Sequence, residues 1–543
     1  MSHKTISRDR IAVVGAGPVG LLHAIVLLWF GVPCRVFEQA SGPLGTSRAC
    51  VMHAKSLELL ALLGIADRFI RQGRRAFRFN YHFLGAGEIA QLDFTRLDGM
   101  FRYMLNISQG TIEQILREYL AELGGVIEWN TELQAVTTDG AGRITARVVN
   151  KVTGREETLH PEWLIGCDGL RSRVRDQMGI PFVGGEYHAD QMRMTDAWLR
   201  GLVWAQQPGT AGLTLSEEDT HYLVDDDRMT LLINLPGPPY RLLVSDMSAV
   251  PEDEITSEAF QSVLDKHFRG AVTLGHQEWA SNFTIRSRIA ETYRRDGVFL
   301  VGDAGHIHSP AGAQGMNLGL ADAFNLGWKL ARVARGEAPE ALLDTYEPER
   351  RPVAEQVIAR TKKLHDLLMN HGTPVAERLE IIREPEFLQQ AVNGISGIGT
   401  TYRQTAPTVP GLTALDGIAA GDRAPQAHLT PKEHVHKLLR HAGDTLLVFQ
   451  GDARSASPLK ALESRIARRF GERVHYRVIT PPDLSAAAPS GAIVADSYAA
   501  HKLYGADKTD AMVFVRPDGH ISWRCEMPSP ELILPLLERP VLT

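Results

Sequence analysis

Residues 10–38 read RIAVVGAGPVGLLHAIVLLWFGVPCRVFE, and their order decides the fold. Arg10 to Val14 is a short strand signal, Gly15-Ala16-Gly17-Pro18-Val19-Gly20 a glycine turn, and Leu21 to Phe30 an apolar helix. Cys34 to Phe37 makes a second strand that ends at Glu38, eighteen residues beyond Gly20. This is a βαβ dinucleotide fingerprint in its proper context. The glycines allow backbone N–H groups to approach a pyrophosphate at the positive end of the helix. Glu38 is placed to accept hydrogen bonds from an adenosine ribose. A lone GxGxxG is weak evidence, but strand, helix, strand and acid in register point to a bound nucleotide. The fingerprint leaves NAD and FAD open.

After Glu38 the chain does not continue the regular alternation of a dehydrogenase. It enters a loop from Gln39 to Ser47, meets Arg48, and then forms a helix carrying Leu57, Leu59, Leu60 and Leu63. Arg48 is either a solvated loop charge or a cation aimed at a phosphate or a redox ring.

Two further segments repeat the pattern of a buried strand ending in small and acidic residues. In 162–172, EWLIGCDGLRS, the strand Trp163 to Ile165 runs into Gly166-Cys167-Asp168-Gly169. In 297–331, GVFLVGDAGHIHSPAGAQGMNLGLADAFNLGWKLA, a strand passes through Gly302-Asp303 into a helix that begins near Gly315. Asp-Gly after a strand is on its own a common turn. Three such strand ends are what one extended ligand at the edge of a parallel sheet requires.

At 543 residues the chain exceeds one core and calls for two to four domains. Hydrophobic residues make up 44% and charged residues 22%, ordinary values for a globular protein. The net charge of −6 gives no sign of nucleic acid or of an anionic membrane as partner. The four cysteines (Cys34, Cys50, Cys167, Cys525) lack CxxC or zinc-ligand spacing and read as reduced thiols of a cytoplasmic protein. The longest apolar run, Leu21 to Val32, contains His23 and falls short of the ~20 residues of a membrane span.

With GAGPVG and Glu38, CDGLRSRVR (167–175) and VGDAGHIHSPAGAQGMN (301–317) in this order, the sequence resembles the class A flavoprotein aromatic monooxygenases of the para-hydroxybenzoate hydroxylase fold. TSRACVMHAKSLELLALLGIA (46–66), NLPGPPYRLLVSD (234–246) and YEPERRPVAEQ (346–356) resemble its phenol hydroxylase group. The resemblance implies an α/β fold in which a Rossmann-like FAD-binding domain (1–78, 100–188 and 286–400) is interleaved with an antiparallel-sheet substrate domain (79–99 and 189–285). A linker at 401–425 and a thioredoxin-like domain at 426–543 would follow. The last would lack CxxC, having only Cys525, and would serve structure or dimerisation.

The cofactors implied are FAD and, as co-substrate, NADPH or NADH. The implied cofactor-binding residues are Gly15, Gly17, Pro18, Val19, Gly20, Glu38, Gln39, Arg48, Gln109, Asp168, Gly169, Gly302, Asp303, Pro310, Gly315, Met316 and Asn317. Asp303 would hold the ribityl chain, and the Gly315-Met316-Asn317 amides would offer positive charge to the flavin N1/O2 edge. In the family NAD(P)H reduces the flavin, O2 adds at C4a, and the hydroperoxide hydroxylates an electron-rich ring. The implied partners are a small phenolic substrate, O2 and a second copy of the chain, in cytoplasmic aromatic hydrocarbon catabolism, with no metal, nucleic acid or membrane.

A phenol is more reactive as phenolate, so a cation or donor beside its oxygen is needed. The strand-rich segment from Asp190 to Arg288 offers Tyr222 and Arg241, and Tyr402 follows the FAD domain; each reads equally as an ordinary sheet or surface residue. His82, on the aromatic-rich strand around Phe79 to Phe83, is a further candidate against a plain alternating strand. His306 and His308 lack a third ligand nearby and read as capping or packing groups beneath the flavin. Two alternatives stand: a tailoring hydroxylase of a polycyclic aromatic polyketide, and a non-catalytic flavin-binding redox sensor. The WxWxIP signature of flavin halogenases is absent.

Overall fold

The structure is a computed structural model that describes residues 6–43, 49–204, 212–225, 228–237, 239–246, 255–369, 373–406, 417–451, 456–506, 509–526 and 530–537. Arg48 and residues 407–416 of the expected linker lie outside the described residues.

The fingerprint strand Ile11–Val14 lies at the centre of a six-stranded sheet. Its order is Arg294–Arg295, Val298–Leu300, Trp163–Gly166, Ile11–Val14, Arg35–Phe37, Ile127–Glu128. All pairings are parallel except the Arg294–Arg295 hairpin. The apolar runs at 11–14, 163–165 and 298–301 are buried on both faces, as a covered parallel sheet requires. The register sets Val14 beside Gly166, and Gly166 beside Leu300, so the three motifs leave the sheet from neighbouring strand ends.

Helix α1 (Pro18–Trp29) has Gly17 as N-cap and Pro18 in its first turn, where a missing N–H costs nothing. It packs on helix α2 (Gly315–Ala334) through glycines. A Cβ at Gly319 would stand 2.7 Å from Val19 Cγ2, and one at Gly327 would stand 2.8 Å from Val26 Cγ1. Helix α3 (Tyr346–Met369) follows.

An eight-stranded sheet holds the second region, in the order His306–Ile307, Thr273–Ala290, Phe182–Arg200, Tyr240–Asp246, Met229–Asn234, Asp219–Val224, Arg78–Phe83, Glu88–Asp93. It is antiparallel except where Asp219–Val224 runs parallel to Arg78–Phe83. Side chains alternate between its faces. Leu232, Leu242 and Val244 pack with Phe260, Val263 and Leu264 of the helix Ser257–Phe268, while Leu231, Ile233, Arg241 and Leu243 line a cavity on the other face.

The C-terminal region forms a separate five-stranded sheet, ordered Ile493–Val494, Val474–Thr480, Asp444–Phe449, Ala511–Val515, Ile521–Glu526. The first three strands are parallel, and the last two join antiparallel. The helix Ala456–Phe470 covers it with Leu459, Leu462 and Ile466. The turn Arg516–His520 is inserted against α2 and α3. Arg516 reaches Glu349 at 2.7 Å, and Trp328 Nε1 donates to Asp518 at 3.2 Å. The described ends of the expected linker are held down: Tyr402 N–H donates to Gly421 O, and Gly421 N–H to Ile521 O, both at 2.8 Å. No helix among the described residues is long and apolar enough to cross a membrane.

Candidate functional site

Gly15 sits at φ +102°, and a Cβ there would stand 2.4 Å from the carbonyl oxygen of Cys167. Only glycine lets the first and second motifs approach this closely. A Cβ at Gly17 would meet no atom within 4 Å, so the amino end of α1 is open to a ligand. The Glu38 carboxylate accepts from the backbone N–H of Ala16 at 2.8 Å and of Ala40 at 2.9 Å. Those two bonds fix it beside the glycine turn with lone pairs to spare for a ribose. Gln39 is exposed beyond it.

Gln109 opens the helix Gln109–Glu122, accepts from Ala49 N–H at 3.1 Å and donates to Glu113. Asp168 takes Val174 N–H on Oδ2 at 3.1 Å and has Oδ1 buried with no hydrogen-bond partner. Burial pushes its carboxyl up from the usual range, against hydrogen bonds from Ser172 and Val174. Gly169 and Gly302 have positive φ, and Gly302 fits against Val19.

Between the strand ends and the large sheet lies a cavity of about 290 Å³, whose lining includes Asp303, Pro310, Gly315 and Met316 on one side. Met194, Leu231, Ile233, Leu243, Phe283 and Ile285 supply an apolar opposite wall. Gln314, the N-cap of α2, makes no side-chain capping bond, so the first amides of the helix are left for another acceptor. The Asn317 side chain serves the protein instead. Its Oδ1 accepts from His53 N–H and Ser56 Oγ, and its Nδ2 donates to the carbonyls of Val51 and Ala313. Only its backbone remains for a cofactor.

Both histidines of the third motif line the cavity. His306 Nε2 lies 2.6 Å from Asp322 Oδ2, and Asp322 Oδ1 accepts from Arg350 Nε at 2.6 Å. Burial pushes His308 down to about 4, so it is neutral and donates Nδ1–H to the Ser309 carbonyl at 2.7 Å. Its Nε2 is buried without a partner, about 4 Å from where a Gly315 Cβ would stand.

Arg241 lines the cavity and is fully buried. Its Nε and Nη2 bond both oxygens of Asp196 at 2.7 and 2.8 Å, and its guanidinium carbon lies 5.1 Å from the Trp279 ring centroid. Tyr222 stands behind the main cavity, on a small adjoining one that shares Leu231, Leu243 and Pro310. It stacks on Tyr81, and burial pushes its phenol up, against a hydrogen bond from the Gly312 backbone. It is a neutral phenol in this setting.

Tyr402 and His82 are not brought to the cavity, contrary to expectation. Tyr402 lies against the C-terminal turn, 4.3 Å from the His520 ring centroid, and accepts from Arg350 Nη1 at 2.9 Å. His82 is buried in the sheet with Nε2 2.9 Å from His221 Nδ1, and burial pushes it down to about 3. Both satisfy internal partners. Asp196, Asp322 and Cys50, the last of which lines the cavity, escaped the sequence reading. Period-two alternation could have shown Leu231 and Leu243, but nothing local distinguishes Asp196 or Asp322 from surface carboxylates.

A glycine cradle, an uncapped helix start and an unpartnered Asp168 oxygen lie along one line of strand ends, which fits a long dinucleotide carrying a ring at its far end. The chain matches the family description "FAD binding domain" over residues 9–361 and "Aromatic-ring hydroxylase, C-terminal" over residues 418–536. Pentachlorophenol 4-monooxygenase of Sphingobium chlorophenolicum is 34% identical over 533 residues, covering 97% of this chain and 96% of the relative. 6-Methylpretetramide 4-monooxygenase of Streptomyces rimosus is 31% identical over 530 residues, covering 94% and 90%. The solved anhydrotetracycline hydroxylase of Streptomyces rimosus is 29% identical with a TM-score of 0.76, covering 98% of each chain.

Proposed function

The chain belongs to the FAD-binding aromatic-ring hydroxylases and is an FAD-dependent aromatic monooxygenase, and on that premise we propose that its substrate is a single-ring phenol, hydroxylated with NAD(P)H and O2. The cavity size carries the reading. At about 290 Å³ it lies just below the ~300–1,000 Å³ typical of ligand pockets. The flavin ring edge must share that space, because Asp303, Gly315 and Met316 are part of the wall.

When bound, FAD supplies the redox and oxygen-activating chemistry. The α1 amino end and Gly15 to Gly20 would hold its pyrophosphate, Glu38 its ribose, and Asp303 its ribityl chain. Gln109 and Asp168-Gly169 would lie along it, and the Gly315, Met316 and Asn317 amides would face the ring edge with fixed positive partial charge. Arg241, held flat by Asp196 and Trp279, would bind the phenol oxygen and favour its ionised form. The apolar wall would help to keep water from the reacting ring. The expected interleaved domain limits, a homodimer and a cytoplasmic setting belong to the same reading. The C-terminal sheet order supports a thioredoxin-like unit, and without a CxxC pair it has no dithiol chemistry.

The likeness over nearly the whole chain to 6-methylpretetramide 4-monooxygenase favours a second reading, a polycyclic polyketide as substrate. Following NAD(P)H consumption and product mass with FAD-loaded protein separates the two. A phenol that accelerates consumption and gains one oxygen supports the first. A baseline rate across a broad phenol panel, with acceleration by a polycycle, overturns it.

A further inference from the structure

A second cavity, of about 70 Å³, lies beside the first turn of α2 and shares only Gln314 with the redox cavity. Three cations, Lys55, Arg350 and Arg360, contribute to its lining, and no aspartate or glutamate does. Two of the cations are answered from behind the wall. Arg350 bonds Asp322 at 2.6 Å, and Lys55 Nζ donates to the Asp518 carbonyl at 3.3 Å with Glu58 and Asp518 nearby.

Arg360 is not answered. Its Nη2 donates to Gln314 Oε1 at 2.9 Å and to the Gly394 carbonyl at 3.0 Å, and its Nε is buried with no partner. Gln314 is 3% exposed, and its Nε2 is also buried with no partner. Arg360 is partly buried; carbonyl oxygens satisfy its donors but bring no charge, and taking a guanidinium even partly out of water is costly unless a counter-charge accompanies it. Burial alone pushes Arg360 down to about 10, and no carboxylate opposes the shift. A water molecule would satisfy the orphaned N–H groups and still leave the charge unmatched.

We propose that this cavity is an anion site that takes a small oxyanion of the phosphate or carboxylate type, held by the Arg360 guanidinium and the Gln314 amide. A planar donor fork matches paired oxygens better than a point acceptor. The site lies outside the redox cavity, and its existence does not depend on which ring is hydroxylated. Gln314 holds the N-cap position of the helix whose first amides line the redox cavity, so the occupant fixes the residue from which that helix starts.

Inorganic phosphate and acetate are titrated into FAD-loaded protein at constant ionic strength set with chloride, followed by calorimetry and melting temperature. One or both anions should bind saturably, close to one per chain, and raise the melting temperature by a few degrees. Arg360→Met should weaken that binding at least tenfold. Should this variant fail to fold, Gln356→Glu decides: Gln356 is an exposed member of the lining, and a carboxylate there supplies the missing charge and should suppress the anion response. No saturable response in the wild type, or an unchanged response in either folded variant, overturns the site.

Discussion

Arg241 and Asp196 form a two-pronged ion pair in the wall of the redox cavity, Nε to Oδ1 at 2.7 Å and Nη2 to Oδ2 at 2.8 Å, and Trp279 Nε1 donates to the same carboxylate at 2.9 Å. The three groups lie on neighbouring strands whose register places Asp196 opposite both Arg241 and Trp279. A cation beside the reacting ring is thereby neutralised from behind and locked in orientation, so it presents donors without a net buried charge.

Breaking such a pair is far more disruptive than removing it whole. Arg241→Met leaves the Asp196 carboxylate buried with the indole N–H as its remaining donor, and one-sided loss of a buried pair costs about 3–5 kcal/mol. The melting temperature should therefore fall in Arg241→Met and recover substantially in Arg241→Met/Asp196→Asn. Phenol KM should rise about tenfold or more in both, as expected for one lost charge-assisted hydrogen bond. Recovery of KM in the double variant would remove Arg241 from the substrate site.

Tyr402→Phe tests the opposite assignment. The Tyr402 hydroxyl accepts from Arg350 Nη1 at the junction with the C-terminal turn, and no part of it lines the redox cavity. Its loss should lower stability by about 1.5–3 kcal/mol, the worth of a hydrogen bond to a buried charged group. Phenol KM should stay within twofold. A large rise in KM at unchanged stability would return Tyr402 to the substrate site.

The parallel sheet was legible because its three buried strands each end in a local glycine signal, as at Gly15, Gly166 and Gly302. The substrate sheet was legible in outline from alternation, since Leu231 and Leu243 share a face by period two. What could not be read was partnership across long sequence separations. Arg241 finds Asp196 and Tyr402 finds Arg350 only once the strands and the C-terminal turn are docked. A carboxylate at 196 or 322 has no local pattern to mark it as buried. Tyr402 and His82 looked chemically suitable for the same reason, and their internal hydrogen bonds are what take them out of the site.

The approach of α1, α2 and the Gly302 turn gives a sharper handle on the cofactor. A Cβ at Gly319 would stand 2.7 Å from Val19 Cγ2 and 3.1 Å from Gly302 Cα. Gly319→Ala must push α2 away from the glycine cradle, at a cost of about 1–3 kcal/mol for an overpacked core. FAD content of the purified protein should drop with it. Val19→Ala in the same chain relieves the nearer contact and should restore part of both stability and FAD. Full retention of FAD in Gly319→Ala would mean that the two helices need not meet this closely for the cofactor to bind.

Acid sensitivity should begin well above the range of carboxylates. Burial pushes His23 and His53 down to about 4 each, against hydrogen bonds to the carbonyls of Ala323 and of Gly312 and Ala313. The unfolded chain, with ordinary histidines near 6.5, binds more protons than the folded one between about pH 6.5 and 4, so stability rises with pH across that window. It is fully present above 6.5 and lost on acidification. For His23 the limit is about 3 kcal/mol, at roughly 1.4 kcal/mol per unit of pKa. Glu58 and Glu349 cannot account for a loss in this window. Burial raises each, but Arg423 with His436 and Lys55 around Glu58, and Arg516 with Lys329 around Glu349, together outweigh it and hold them at about 2, so their contribution is present above about 4.5 and fades only as pH falls toward 2. Melting temperature measured from pH 7.5 to 5.0 should therefore fall steadily. His23→Leu should be less stable at pH 7.5, because the Ala323 carbonyl loses its donor, and should show a shallower slope. A melting temperature that stays flat to pH 5.0, or a slope unchanged in His23→Leu, would show that the imidazole of His23 is not kept neutral by burial between α1 and α2.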